Sequence, residues 1–141
     1  MTILQKLNHG PLKRSEVNPM VVLLAEDDVQ VQYFIWKLLK PDGFTVLTGG
    51  NGALALEASR NHPGPIDLLL TDMGMPLMCG LELAETSAKE RPEIKVLIMS
   101  GDLRDREHIS VNGLPFLQKP FTPTSLREST DALLCPISSL A

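Results

Sequence analysis

The chain has 141 residues, enough for one well-buried core and short for two, so it reads as a single domain. Thirteen Lys plus Arg against seventeen Asp plus Glu leave a formal net charge of −4, which argues against a general binder of nucleic acid or of anionic membranes. No apolar stretch approaches the roughly 18 residues of a membrane span, and MTILQKLNHG at the start lacks the apolar stretch of a secretory signal, so the expected location is cytoplasmic.

Residues 1–19, with Gly10, Pro11 and Pro19 among scattered charges, show no sustained period and are expected to form a flexible N-terminal arm. The folded domain is placed at 20–135, with a short tail at 136–141. Its first run, MVVLLA (20–25), is continuously apolar and is followed by the acids Glu26, Asp27 and Asp28. A helical pattern comes next, in which Val31, Phe34, Ile35, Leu38 and Leu39 recur at helical spacing before KPDGF stops it. That spacing predicts a core stripe through Val31, Phe34 and Leu38 and leaves Trp36 partly exposed. A second run, FTVLT (44–48), leads through the turn TGGNG to a helix over Gly52 to Arg60. IDLLLT (66–71) is the third run, ending at Asp72, and a helix from about Leu81 to Glu90 is ended by Pro92. IKVLIM (94–99) ends at Ser100, and the segment GDLRDREHISVNGL leaves room for only a short helix. PFLQ (115–118) precedes Lys119, after which Thr122 is placed as N-cap and Pro123 as the first residue of a helix carrying Leu126, Leu133 and Leu134 on one stripe.

Five short apolar runs alternating with helices form a (βα)5 pattern. Continuously apolar strands are expected where a parallel sheet is covered on both faces, and right-handed crossovers make an open, doubly wound α/β sandwich the economical solution. In such sheets ligands bind beyond the carboxyl ends of the strands. Glu26, Asp27, Asp72, Ser100 and Lys119 all follow or close a strand and are expected on that one edge.

Two unit charges about 4 Å apart repel by roughly 1 kcal/mol in water and about 4 kcal/mol at an effective dielectric of about 20. Clustered carboxylates therefore call for a cation. A hard ion such as Mg2+ (or Mn2+) takes oxygen ligands, commonly one or two carboxylates plus phosphate oxygens. Lys119 adds a point charge and Ser100 a hydroxyl donor, and the set matches a phosphoryl-transfer site in which an ionised Asp attacks phosphorus. Asp72 is the candidate nucleophile because it stands alone and leads a loop, whereas Glu26 and Asp27 look like a metal-holding pair. Taken singly, each feature has a plainer explanation: EDD as an N-cap cluster for the helix from Val29, Asp72 as a solvated loop acid, KPF as a turn. Independent caps would not converge on one strand edge.

VVLLAEDD, LLLTDMGMP, VLIMSG and FLQKPFTP, in this order and separation, resemble the receiver domain of two-component response regulators, the CheY-like superfamily, over about residues 20–135. The resemblance implies a flavodoxin-like three-layer sandwich with a five-stranded parallel sheet in the order 2-1-3-4-5; that order is an already known example of the fold class and is carried over with it. It further implies a place in a bacterial phosphorelay in which Asp72 takes a phosphoryl group from a histidine kinase or a histidine phosphotransfer protein. By the same resemblance Asp27 and Asp72 bind Mg2+ directly, Glu26 acts partly through water, and the backbone carbonyl of Gly74 completes the protein ligands. Ser100 and Lys119 contact the phosphoryl oxygens, and the bond from Lys119 to Pro120 is cis. Phe116 matches the switch aromatic, which turns as Ser100 moves toward the phosphoryl group, so that the surface around the fourth helix and fifth strand is read by an unidentified downstream protein. The implied protein is a signalling switch rather than an enzyme, without a fused effector domain, and a monomer or weak dimer.

Three departures accompany the resemblance. Gly74 stands where many receivers carry a polar side chain that influences dephosphorylation; Cys79 takes a place often filled by Asp; and the short connection from Ser100 to Phe116 is similar to receivers attached to hybrid sensor kinases. Cys79 and Cys135 have no metal spacing and are read as unpaired, and His9, His62 and His108 as surface residues. Two rivals differ in class. A receiver-like adaptor independent of phosphate is left open by Gly74 and the shortened fourth segment. A phosphatase working through an aspartyl phosphate needs a second acid soon after the nucleophile, where TDMGMP offers Gly74, and the absence of G-x-S-x-G removes a hydrolase elbow.

Overall fold

Parallel strands with apolar side chains on both faces need cover on both sides, and that requirement shapes the computed structural model, which describes residues 19–134. The elements alternate: β1 (Val21–Ala25), α1 (Val29–Leu39), β2 (Thr45–Gly49), α2 (Gly52–Asn61), β3 (Leu68–Asp72), α3 (Gly80–Glu90), β4 (Lys95–Ser100), α4 (Leu103–Val111), β5 (Phe116–Gln118) and α5 (Pro123–Leu134). All strand pairs are parallel and the sheet order is β2-β1-β3-β4-β5, the expected 2-1-3-4-5. The expectations for the N-terminal arm up to residue 18, for His9, for Cys135 and for the tail lie outside the described residues.

Alternation along each strand sends side chains to two cores. Val21, Leu23, Ala25, Leu69, Val96 and Ile98 meet α2, α3 and α4 through Ala55, Leu56, Leu83, Ala84 and Ile109. Val22, Leu24, Leu68, Leu70, Leu97 and Met99 meet α1 and α5 through Ile35, Leu39 and Leu126. Two helices thus cover one face and three the other. Each fully buried Leu or Ile contributes about 1.5–3 kcal/mol relative to an exposed one, which is why β1, β3 and β4, buried along almost their whole length, anchor the fold.

Sequence signals set the helix ends. Asp28 caps α1, its carboxylate accepting from the backbone N–H groups of Gln30 and Val31, and Asn51 caps α2 through Leu54. A 3-10 turn at Lys40–Asp42 closes α1, ending at Gly43 in the left-handed region (φ 93°). At α5 the Thr122 hydroxyl accepts from the Ser125 N–H at 3.0 Å, as the cap expectation required.

One expectation is corrected. Phe34 is not core: it is 41% exposed and tilts against Phe121 at a centroid distance of 6.1 Å, while Ile35 and Leu39 are fully buried and Val31 and Leu38 only pack against the core. At 3.6 residues per turn Phe34 and Ile35 stand about 100° apart, and the sheet covers only the Ile35 side. The fourth helix is short, as expected: nine regular residues, capped by Asp102 and ended just past Asn112 by Gly113 at φ 73°. It remains the shortest helix described, with Ile109 its only buried residue.

One polar atom is left over. Ser87, 1% exposed on the inner side of α3, has a hydroxyl without a hydrogen-bond partner among the described residues. Ser87→Ala is expected to raise stability by about 1 kcal/mol, since it removes an unsatisfied buried group and improves helix propensity. Thermal or urea denaturation checks this; a loss of stability would show that the hydroxyl has a partner.

Candidate functional site

The register of the sheet decides what meets at its carboxyl edge. Ala25 lies beside Gly49 and Thr71, Asp72 beside Met99, and Ser100 beside Gln118, so β1, β2, β3, β4 and β5 end level with one another. Glu26, Asp27, Asp72, Ser100 and Lys119 project from that edge.

Oxygen atoms of Glu26, Asp27 and Asp72 lie within 4.8 Å of one another, an arrangement able to hold a metal ion. Asp28 does not join them; it turns to the N-terminus of α1 and donates its own backbone N–H to Glu26 Oε1 at 3.2 Å. The run EDD thus divides between two jobs that local sequence cannot separate.

Lys119 counters the charge. Its Nζ donates to Glu26 Oε2 at 2.7 Å and stands 3.1 Å from Asp72 Oδ1. The Lys119–Pro120 bond is cis. Glu26 is only 1% exposed, and burial pushes its carboxyl above the ordinary range, aided by the charge of Asp72 and opposed by the bonds from Lys119 and from the Asp28 N–H. Burial draws the Lys119 ammonium down, but Glu26 and Asp72 outweigh it and hold the group above its usual value. One ammonium thus faces three carboxylates, and a second cation would relieve the remainder.

Asp72 is 9% exposed and opens the loop to α3. The chain folds back at once: the Gly80 N–H donates to the Met73 carbonyl at 2.9 Å, and a Cβ at Gly80 would stand 2.6 Å from the Asp72 carbonyl oxygen, so only glycine lets α3 start so close to the acid. Gly74 is exposed, with open space where a side chain would stand. Leu77 holds φ 71° and is 97% exposed, so its left-handed backbone is not offset by burial. Leu77→Asn is expected to stabilise the protein by about 0.5–1 kcal/mol, readable as a higher denaturation midpoint.

The Ser100 hydroxyl faces forward along the chain. It donates to Asp105 Oδ2 at 2.6 Å and accepts the Asp102 backbone N–H at 3.0 Å, and none of its hydrogen bonds runs to Asp72 or Lys119. Phe116 is half-buried, with the Arg106 guanidinium 5.8 Å from its ring centroid. Asp105 and Arg106 had no sequence signal beyond the charge of DLRDRE. His62 and His108 take no part among these contacts, and Cys79 is free.

The response regulator receiver domain model matches residues 22–131. The chain belongs to the response regulator receiver domain family. Within it, the receiver is 41% identical over 80 residues to the response regulator receiver protein CpdR of Brucella abortus, covering 57% of this chain and 65% of that protein. The sensor kinase CckA of the same organism is 32% identical over 119 residues, 80% of this chain and 12% of that one. The solved structure of a response regulator receiver domain protein from Clostridium thermocellum matches at a TM-score of 0.75 and 26% identity, over 86% of this chain and 99% of that one. The receiver therefore spans less than two thirds of these curated relatives. No helix among the described residues is long and apolar enough to cross a membrane.

Proposed function

We propose that this receiver is a cytoplasmic phosphoacceptor switch of a two-component system, in which Asp72 takes a phosphoryl group from the phosphohistidine of a histidine kinase or histidine phosphotransfer protein. The observation that carries the reading is the convergence of Glu26, Asp27, Asp72 and Lys119 on one strand edge.

The donor set fits Mg2+ or Mn2+: the atoms are hard oxygens, close enough to share one ion, and they carry more negative charge than Lys119 offsets. Glu26, Asp27 and Asp72 would hold it with the Gly74 carbonyl, and the bound ion supplies positive charge against the acids and the incoming phosphoryl oxygens. Asp72 attacks phosphorus through a carboxylate oxygen. The new P–O bond gives an acyl phosphate while the P–N bond of the phosphohistidine breaks and the imidazole leaves with its electron pair, taking up a proton. Lys119 stabilises a phosphoryl oxygen by its charge, and Ser100, once its hydroxyl is released, donates to another. Phe116 then turns, and the face of α4 and β5 changes for a downstream protein.

Incubation with magnesium and acetyl phosphate is expected to add one phosphate per chain, seen by intact mass as an adduct that hydroxylamine removes, and EDTA is expected to prevent it. Incorporation unaffected by EDTA would remove the metal from the account, and no incorporation from either acetyl phosphate or a phosphohistidine protein would leave the phosphate-independent adaptor.

A further inference from the structure

The two residues expected to move on phosphorylation are both held by adjacent residues of one helical turn. Ser100 donates its hydroxyl to the Asp105 carboxylate at 2.6 Å, and Arg106 lies over the Phe116 ring at 5.8 Å. The turn itself is well fixed. Asp102 caps α4 by accepting the Arg104 N–H at 2.9 Å and pairs with the Arg104 guanidinium at 2.8 Å, and the Asp105 N–H donates to the Asp102 carbonyl at 3.1 Å. The Ser100 hydroxyl closes this ring by accepting the Asp102 N–H at 3.0 Å.

A hydroxyl given to a carboxylate is held more strongly than one given to a neutral acceptor. Ser100 must abandon that bond before it can donate to a phosphoryl oxygen at Asp72. Asp105 is half-buried, so water does not fully replace the carboxylate when the bond opens.

We propose that Asp105 is a positioning residue that latches the Ser100 hydroxyl into the first turn of α4 and thereby sets how much phosphoryl affinity is spent on releasing it. This rests on the phosphoacceptor reading of Asp72. The latch competes with the phosphoryl group for one hydroxyl, so removing it favours the phosphoryl-bound state in the ordinary manner of a population shift. Arg106, one residue on, holds the aromatic ring of the same switch against the same helix.

Two measurements test the latch on the full chain. In the first, beryllium trifluoride with magnesium serves as phosphoryl analogue. Asp105→Ala is expected to bind it about tenfold more tightly than wild type, and Asp105→Asn to fall between them, because an amide oxygen still accepts but without charge. In a Ser100→Ala background, Asp105→Ala is expected to give no gain. In the second, with no ligand present, the Asp102 amide is expected to exchange its hydrogen about tenfold faster in Asp105→Ala, because a freed Ser100 hydroxyl no longer stays in place to accept it.

Equal analogue affinity in wild type and both Asp105 variants overturns the latch while leaving the phosphoacceptor reading intact, and so does an equal gain with and without Ser100. Unchanged exchange at Asp102 overturns it as well. Failure of wild type to bind the analogue defeats the phosphoacceptor reading, and the latch with it. Should Asp105→Ala not fold, Asp105→Asn carries both measurements, with the same sign and a smaller size.

Discussion

Asp72→Asn is expected to reduce phosphate incorporation to background with acetyl phosphate and with any phosphohistidine donor. An amide oxygen is too weak a nucleophile to displace the leaving group from phosphorus, and the other carboxylate that meets Lys119, Glu26 at 2.7 Å, is only 1% exposed. Asp27→Asn leaves the nucleophile in place but removes charge from the cation site. Its expected signature is a requirement for about 10- to 100-fold more magnesium, with incorporation recovering when the ion is supplied in excess. Neither change should cost stability in the absence of metal. Each removes a like charge from a cluster whose members repel by about 4 kcal/mol per pair at 4 Å and an effective dielectric of about 20, while Lys119 keeps Glu26 as partner at 2.7 Å. An Asp72→Asn protein that still accumulates one phosphate would refute the assignment of Asp72. An Asp72→Asn protein that unfolds more readily than wild type would show that its pair with Lys119 outweighs the repulsion.

The second large effect concerns stability and lies at the other edge of the sheet. Arg91→Ala is expected to destabilise the protein by about 2–4 kcal/mol. Arg91 follows α3, and its guanidinium donates to Ser59 Oγ at 3.0 Å, to the Gly64 carbonyl at 2.8 Å, and to the carbonyls of Ser59 and His62 at 2.8 and 3.0 Å. Three of these acceptors lie at the end of α2, where the last carbonyls run short of helical donors; among the described residues the Ser59 carbonyl otherwise takes only the His62 cap N–H at 3.1 Å. Hydrogen bonds from a charged donor contribute about 1.5–3 kcal/mol each when buried, and partial exposure here brings four of them down to the stated total. Arg91→Lys should recover less than half, because an ammonium cannot reproduce the planar fork that meets four acceptors. Urea denaturation with an unchanged slope and a lowered midpoint would confirm the effect. Phosphate incorporation by the folded fraction should be unchanged, since the acids stand at the opposite ends of the strands. A shift below about 0.5 kcal/mol would mean that water replaces the guanidinium at these carbonyls, as it does at exposed pairs.

Arg60 and Glu90 pair beside this staple at 2.6 Å, yet both are largely solvated and the guanidinium only lowers the Glu90 carboxyl below its usual range, so no comparable effect is expected from them.

How much of this was legible before folding depends on whether the information is local. Continuous apolar runs such as VVLLA and LLL determine strands covered on two sides, because no other arrangement removes both rows of side chains from water. Thr122 followed by Pro123, and Gly43 after Lys40–Asp42, set helix limits through their own backbone preferences. The acids, the serine and the lysine were placed on one edge because parallel topology sends every strand end the same way.

The chain order alone could not determine which side chain finds which partner. Asp28 and Asp27 are neighbours of the same type, but only the direction of α1 sends one to a cap and the other to the cluster. Phe34 and Ile35 both fit an apolar stripe, and the position of the sheet buries only the second. Arg91 carries no local signal that it will meet the α2 terminus, and Asp105 became the partner of Ser100 only when α4 completed its first turn. The periodicities of helices and strands are properties of the backbone and are written residue by residue. Hydrogen bonds, ion pairs and burial act through space over a few ångströms, and the distances that decide them exist only after the layers have packed.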